Sequence, residues 1–298
     1  MRADVSVAVP AVTMSEKVIA DFTARFSLDS FADPEPVDGR IVLSQKRLVL
    51  ATGSEKTTVP LSSVFDITVG HVPGELEGFF QDTVTIAYED GDRRRVAVVE
   101  AGSEEVSRFK TVLFKAQLNG TPTKVRHPAR VGGRVTDQSF RSAKLRVEPG
   151  AVAFRAPGET ITVELANVTY FQKENREVGP VVSIRHSAEG QTMTSEFGVD
   201  TERRLNLLGR YLRLEYTELA QSVEDVDASE EEMEALVAIY SGGTSANLAG
   251  MLGVDSSRVT MLLNDLHDKG LVDEGERGLS LTAQGQLLVS DRIETVNT

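Results

Sequence analysis

The chain has 298 residues, with 45 Asp+Glu against 32 Lys+Arg, a formal net charge of −13, and neither cysteine nor tryptophan. That length suits two domains or three small ones at roughly 150 residues each, and an apolar fraction of 40% is that of a globular chain. The lack of cysteine excludes disulfides, thiolate metal centres and thiol nucleophiles; no stretch approaches the ~18 apolar residues of a membrane span, and the excess of acid argues against a general nucleic-acid binder.

Residues 1–16 are Ala/Val-rich but too thin in apolar residues for a signal-peptide core of ~7–15. They read as a loose arm, with Met14 as an alternative start. From residue 17 onward the pattern becomes regular. Sliding the chain by 104 residues aligns Arg40–Ile67 with Lys144–Phe171 without a gap. Ile41 meets Leu145, Leu43 meets Val147, Leu48 meets Val152, Leu50 meets Phe154, Val59 meets Val163, Leu61 meets Leu165 and Val64 meets Val168. Spacings of two between turn residues Gly53-Ser54 and Pro157-Gly158 are those of half-buried strands.

Both copies continue with a strand pair and a helix. In the first, Thr83–Tyr88 and Arg95–Val99 flank a polar turn, and Ser103-Glu104-Glu105 caps a helix whose face carries Val106, Phe109, Val112, Leu113 and Ala116. In the second, Val181–His186 and Met193–Phe197 flank residues 187–190, and a helix opens at Asp200-Thr201-Glu202 with Leu205, Leu208, Tyr211 and Leu212. Phe79-Phe80 reads as the start of a buried strand or, in a loop, as an interface. The fold class is α+β: two tandem PH-like or GRAM-like β-barrels over 17–120 and 121–222, each ending in a helix, and a third domain over 223–298.

That third domain reads as a winged helix-turn-helix. Ser229–Glu232 fits a capping box, Gly253-Val254-Asp255 makes a tight turn, and Ser256–Lys269 is a helix burying Val259, Leu262, Leu263 and Leu266. The first helix carries Met233, Leu236, Val237 and Tyr240, and residues 269–281 form the wing. The domain holds 15 acids and 4 bases, a net of −11, which leaves −2 for the other 222 residues. Its recognition helix sets Asp255, Asp265 and Asp268 beside Arg258, Asn264 and Lys269, a poor match for a duplex. Protein docking suits it better than DNA.

The four histidines, His71, His127, His186 and His267, lie far apart in sequence and in no metal-ligand spacing, so they read as surface or loop residues. Phosphate loops and nucleophile elbows are absent. The expectation is no catalytic residue, no cofactor and no metal. Residues 124–146 hold seven bases against Asp137 and read either as a solvated linker and first strand or as a surface for an anionic lipid, an acidic protein, or the acidic tail of this chain or of a second copy. Arg outnumbers Lys by 23 to 9, a bias compatible with a salt-rich cytoplasm or with a GC-rich genome.

In order and combination, "MSEKVIADF" from Met14, "GRIVLSQKRLVLATGSEKTTVPL" from Gly39 and "LAGMLGVDSSRVTMLLNDLHDKGLV" from Leu248 resemble CheF, the archaeal taxis adaptor family. The resemblance implies a non-enzymatic, homodimeric, cytoplasmic adaptor at the archaellum motor. It would link phosphorylated CheY, received by its C-terminal domain, to the archaellum switch complex, with no role for DNA or membrane. Candidate contact residues on that domain are Arg258, Asp265, Leu288, Arg292 and Ile293, although Leu288 and Ile293 also suit internal packing or a dimer contact. A transcriptional regulator or a membrane-surface module is the alternative.

Overall fold

A computed structural model describes residues 16–28, 36–70, 82–188, 191–224, 226–275 and 278–296. The arm up to residue 15, His71 and Phe79-Phe80 lie outside the described residues. The protein is α+β, and its contacts divide it into two compact units: residues 1–121 with 200–210, and residues 122–199 with 211–298.

In the first unit, β1 (Val18–Leu28), β2 (Val37–Ser44), β3 (Arg47–Ala51), β4 (Lys56–Pro60), β5 (Val64–Val69), β6 (Thr83–Asp90) and β7 (Arg93–Glu100) form one antiparallel sheet. Its order is β4-β3-β2-β1-β7-β6-β5, and α1 (Ser103–Leu118) follows. The two outermost strands, β4 and β5, share no ladder, yet only the three-residue 3-10 turn Leu61–Ser63 joins them. Two edges tethered so closely require a strongly coiled sheet. The closed barrel expected from the sequence is therefore corrected: the turn, and not a hydrogen-bonded ladder, brings the edges together.

That turn is held by side chains. Gln117 Nε2 donates to the Leu61 carbonyl at 2.9 Å, and Arg203 Nη1 donates to the Leu61 and Val64 carbonyls at 3.2 and 2.6 Å. Arg203 lies in the first turn of α2 (Glu202–Glu224). These bonds tie the turn to α1 and α2 at the carbonyls of Leu61 and Val64, the first of which also accepts from Val64 N–H. Ahead of β1, the Glu16 carboxylate accepts from Arg47 and Ser44, which hold its pKa down to about 2.

The second unit repeats the first. Strands β8 (Pro122–Val131), β9 (Arg134–Val135), β10 (Arg141–Glu148), β11 (Ala151–Ala156), β12 (Glu159–Glu164), β13 (Val168–Arg176), β14 (Gly179–Ala188) and β15 (Gln191–Val199) pair in the order β12-β11-β10-β8-β15-β14-β13, with β9 folded back on β8. The offset of 104 holds in detail. The 3-10 turn recurs at Leu165–Asn167, and the bulge at Val64/Asp66 recurs at Val168/Tyr170. All seven matched apolar pairs are buried, from Ile41 and Leu145 through Val64 and Val168. The repeat therefore preserves one inward face, as period-two patterning requires.

Residues 124–146 begin the second sheet, so the strand half of that reading stands and the linker half is corrected. They build β8, β9 and β10, and Arg126, Arg141 and Arg146 pair with Glu196, Glu159 and Glu148. The first helix begins one residue earlier than expected: Gly102 is its N-cap, Gly102 N donates to Glu105 Oε2 at 3.1 Å, and the Ser103 hydroxyl donates to Asp82 at 2.8 Å. Its buried face takes in Lys110, Phe114 and Gln117 beside the expected Val106, Phe109 and Leu113.

His127 and His186, 59 positions apart in sequence, share one hydroxyl. His127 Nδ1 lies 2.7 Å and His186 Nε2 2.8 Å from Ser195 Oγ, and the rings stack with centroids 5.9 Å apart. Ser195 is fully buried and His186 nearly so. The surface reading is corrected for both, since β8, β14 and β15 are neighbours in the sheet. Burial, with His127 close by, pushes His186 down to about 4. The unfolded chain, with a histidine pKa near 6.5, binds the proton more readily. Stability is therefore complete above that value and is lost as pH falls toward 4. In urea unfolding between pH 7 and 4 we expect a loss of roughly 3 kcal/mol attributable to His186, and a flatter profile for His186→Gln. An identical profile for the variant would contradict this.

Candidate interaction surface

The C-terminal module begins with α3 (Glu230–Tyr240). Ser229 Oγ accepts from Glu232 N at 3.3 Å and Ser229 N donates to Glu232 Oε2 at 2.7 Å, the reciprocal box read from the sequence. The helix buries Ala235, Leu236, Ala238 and Ile239, while Met233, Val237 and Tyr240 are only half-buried. The expected stripe is thus rotated toward the small residues. Next come α4 (Leu248–Leu252), a turn through Gly253 at φ 69°, and α5 (Ser256–Asp268). Asp255 Oδ1 accepts from Arg258 N at 2.8 Å and caps α5. Strands β16 (Val272–Gly275) and β17 (Gly278–Leu281) pair before α6 (Ala283–Val296) closes the chain. Gly285 is required: a Cβ there would lie 2.1 Å from the Leu271 carbonyl oxygen.

Buried charge holds the helices together. Glu232 is almost wholly buried; it accepts from Lys269 Nζ at 2.8 Å, and Lys269 Nζ also donates to the Asp227 carbonyl at 2.7 Å. Burial pushes the Glu232 carboxyl up, but the bonds from Lys269 and Ser229 outweigh it and leave the group below its ordinary value. Arg258 pairs with Glu231, which raises the guanidinium pKa. Two of the module's four bases are thus engaged internally. Its solvent side displays Glu230, Glu234, Asp265, Asp268, Asp273 and Glu274.

Of the residues expected at a partner surface, Arg258 is half-buried and ion-paired, and Asp265 is exposed on α5. Arg292 is exposed on α6, whereas Leu288 packs against the module's own core. Ile293 falls on α6 with its side chain outside the described residues. That helix also packs on the Leu165–Asn167 turn of its unit, so part of it is occupied internally. Two residues that the sequence reading passed over are prominent: Met251 and Met261, 49% and 55% exposed. On the helical wheel Met261 lies away from Val259, Leu262 and Leu266, and that position is the signal for it. His267 is exposed. Among the described residues no group of three or more His, Asp or Glu is placed to hold a metal, and no helix is long and apolar enough to cross a membrane.

These features define a class: an α+β protein built from a repeated antiparallel sheet, carrying an acidic helical module whose bases are partly consumed in its own ion pairs. Residues 18–218 match the family model described as archaeal chemotaxis signal transduction system protein F, and 227–294 match a domain of unknown function. "Taxis protein CheF2" of Halobacterium salinarum is 49% identical, the alignment covering 95% of this chain and all of that protein. "Taxis protein CheF1" of the same organism is 28% identical, over 94% of this chain and 98% of that one. The chain belongs to the archaeal CheF family of chemotaxis signal transduction proteins. One solved structure, that of the Spt16D Pob3N heterodimer, aligns over 59% of this chain and 93% of that chain at 10% identity and a TM-score of 0.23, and carries no argument here.

Replacing Lys269 leaves the buried Glu232 carboxylate without its cation and with only the hydrogen bond from Ser229 N. Lys269→Met should lower stability by about 1–3 kcal/mol in urea unfolding, and Glu232→Gln in the same background should restore part of it. An unchanged midpoint for the single variant would show that the pair is not structural.

Proposed function

We propose that the chain is a non-enzymatic adaptor that binds phosphorylated CheY through its C-terminal module and couples it to the archaellum switch complex at the cytoplasmic face of the motor. The domains are two PH-like folds over 17–120 and 121–222 and a winged helix-turn-helix over 223–298, and the protein works as a homodimer. The observation that carries this reading is the confinement of nearly all net charge to one helical module, in a chain of the taxis family. An acidic face with exposed methionines is suited to a protein: carboxylates steer the encounter, and methionine adapts its shape to an apolar patch. The same carboxylates repel phosphate backbones, which disfavours the transcriptional alternative.

An adaptor needs only to bind one conformation of its regulator better than the other, since phosphorylation shifts the regulator between two states. The surface favoured by the geometry is the solvent side of α4 and α5, with Met251 on α4 and Asp265 one turn from Met261 on α5. Arg292 marks its outer limit on α6.

The test is retention of beryllofluoride-activated and unmodified CheY on the immobilised full chain. Activated CheY should be retained preferentially, and Met251→Lys with Met261→Lys should weaken that binding more than tenfold without changing the melting temperature. Equal retention of both CheY forms would defeat the reading.

A further inference from the structure

Among the described residues, the first sheet leaves one edge of part of a strand without a partner. Strand β1 pairs with β2 from Val18 to Phe26, but with β7 only from Arg25 to Leu28. At Glu100, opposite Arg25, β7 ends; the chain turns through Ala101-Gly102 into α1, and a helix offers a strand edge no ladder. Within this stretch Ile19–Phe22 borders a groove of about 610 Å³, whose other wall is α1. Phe22 and Phe109 form its floor, with ring centroids 5.2 Å apart. At the strand's start Val18 and Ile19 are 41% and 37% exposed.

The second sheet has no such edge. Thr23 pairs with Arg40, and Pro122 pairs with Lys144, the residue equivalent to Arg40 at the offset of 104. Strand β8 therefore starts where β1 has already run five residues, and β15 pairs it from Thr123 onward. The extension Val18–Phe22 belongs to the first copy alone. A bulge between Val18 and Ala20 also releases Ile19 from the β2 ladder. Exposed apolar edges of this kind template pairing with another strand, and proteins that do not use them blunt them with charge or proline.

We propose that a second copy of the chain occupies this edge, the two β1 strands pairing antiparallel across a two-fold axis at Ile19. This rests on the homodimer proposed above and locates its interface. The charges favour one register, with Asp21 and Arg25 already paired to Arg40 and Glu100 of their own copy. With the axis at Ile19, Lys17 of each copy lies opposite Asp21 of the other, and Ile19 meets Ile19. With the axis at Asp21, Asp21 would face Asp21 and Lys17 would face Arg25, two like-charge pairs that a sheet disfavours. Such self-complementarity is what a two-fold contact requires. Phe109 and Val112 of α1 then cover the incoming strand.

A chain without cysteine makes the test direct. Cross-strand Cβ atoms lie about 4.5–5.5 Å apart, close to what a disulfide spans. Full-length Ile19→Cys should therefore oxidise to a covalent dimer, while Val135→Cys, 63% exposed on the second sheet, should not. Val18→Lys with Ile19→Lys should halve the sedimentation mass and leave the circular dichroism melt unchanged. A lysine variant that stays dimeric, or an Ile19→Cys protein that is dimeric but does not cross-link, would overturn the interface while leaving the homodimer standing. A monomeric wild type would remove both.

Discussion

Glu232 sits almost fully buried at the first turn of α3, where Lys269, at the end of α5, meets its carboxylate at 2.8 Å. A buried carboxylate is tolerated only when neutralised and hydrogen-bonded. The contact therefore fixes two helices 37 positions apart in sequence and makes the rest of the module possible. It also removes a cation from a surface that has few. With Arg258 likewise drawn to Glu231, the solvent side of α4 and α5 is left to carboxylates and two methionines. The module's stability and the acidity of its surface thus have a common origin in how four bases are distributed among fifteen acids.

Much of this was legible in the sequence because it depends on local periodicity. Apolar residues at spacings of two mark an inward face, and a gapless offset of 104 means the same strands, the same 3-10 turn and the same bulge twice over. The Ser229–Glu232 box and the Gly253 turn are also local, and both stand as read. The four positions expected on α2 are all buried for the same reason. Family membership, which rested on three stretches in order, is independent of any fold detail.

The remainder needed the third dimension. Nothing near His127 or His186 announces that Ser195 will stand between them, since that depends on the order of β8, β15 and β14. Ring closure of the sheets was over-read, because short tethered edges and a hydrogen-bonded seam look alike in a hydrophobic pattern. On α3, alanines at 235 and 238 entered the core, while the larger Met233 and Val237 pack partly buried against it. Leu288 followed its apolar character into the core, whereas Met261 did not, and exposure separates those two cases.

The two copies of the sheet have diverged where partners could attach. Among the described residues the first keeps a strand edge beside α1 without a partner; the second lacks that extension, since β8 begins level with Thr23. A dimer contact on one unit and a regulator contact on the acidic module would keep the two tasks on separate surfaces, as an adaptor requires. The most direct measurement of the central claim is hydrogen–deuterium exchange of the full chain with and without activated CheY. Slower exchange across residues 248–269 is the predicted result. Protection confined to the strands of residues 18–100, with none in the acidic module, would contradict it.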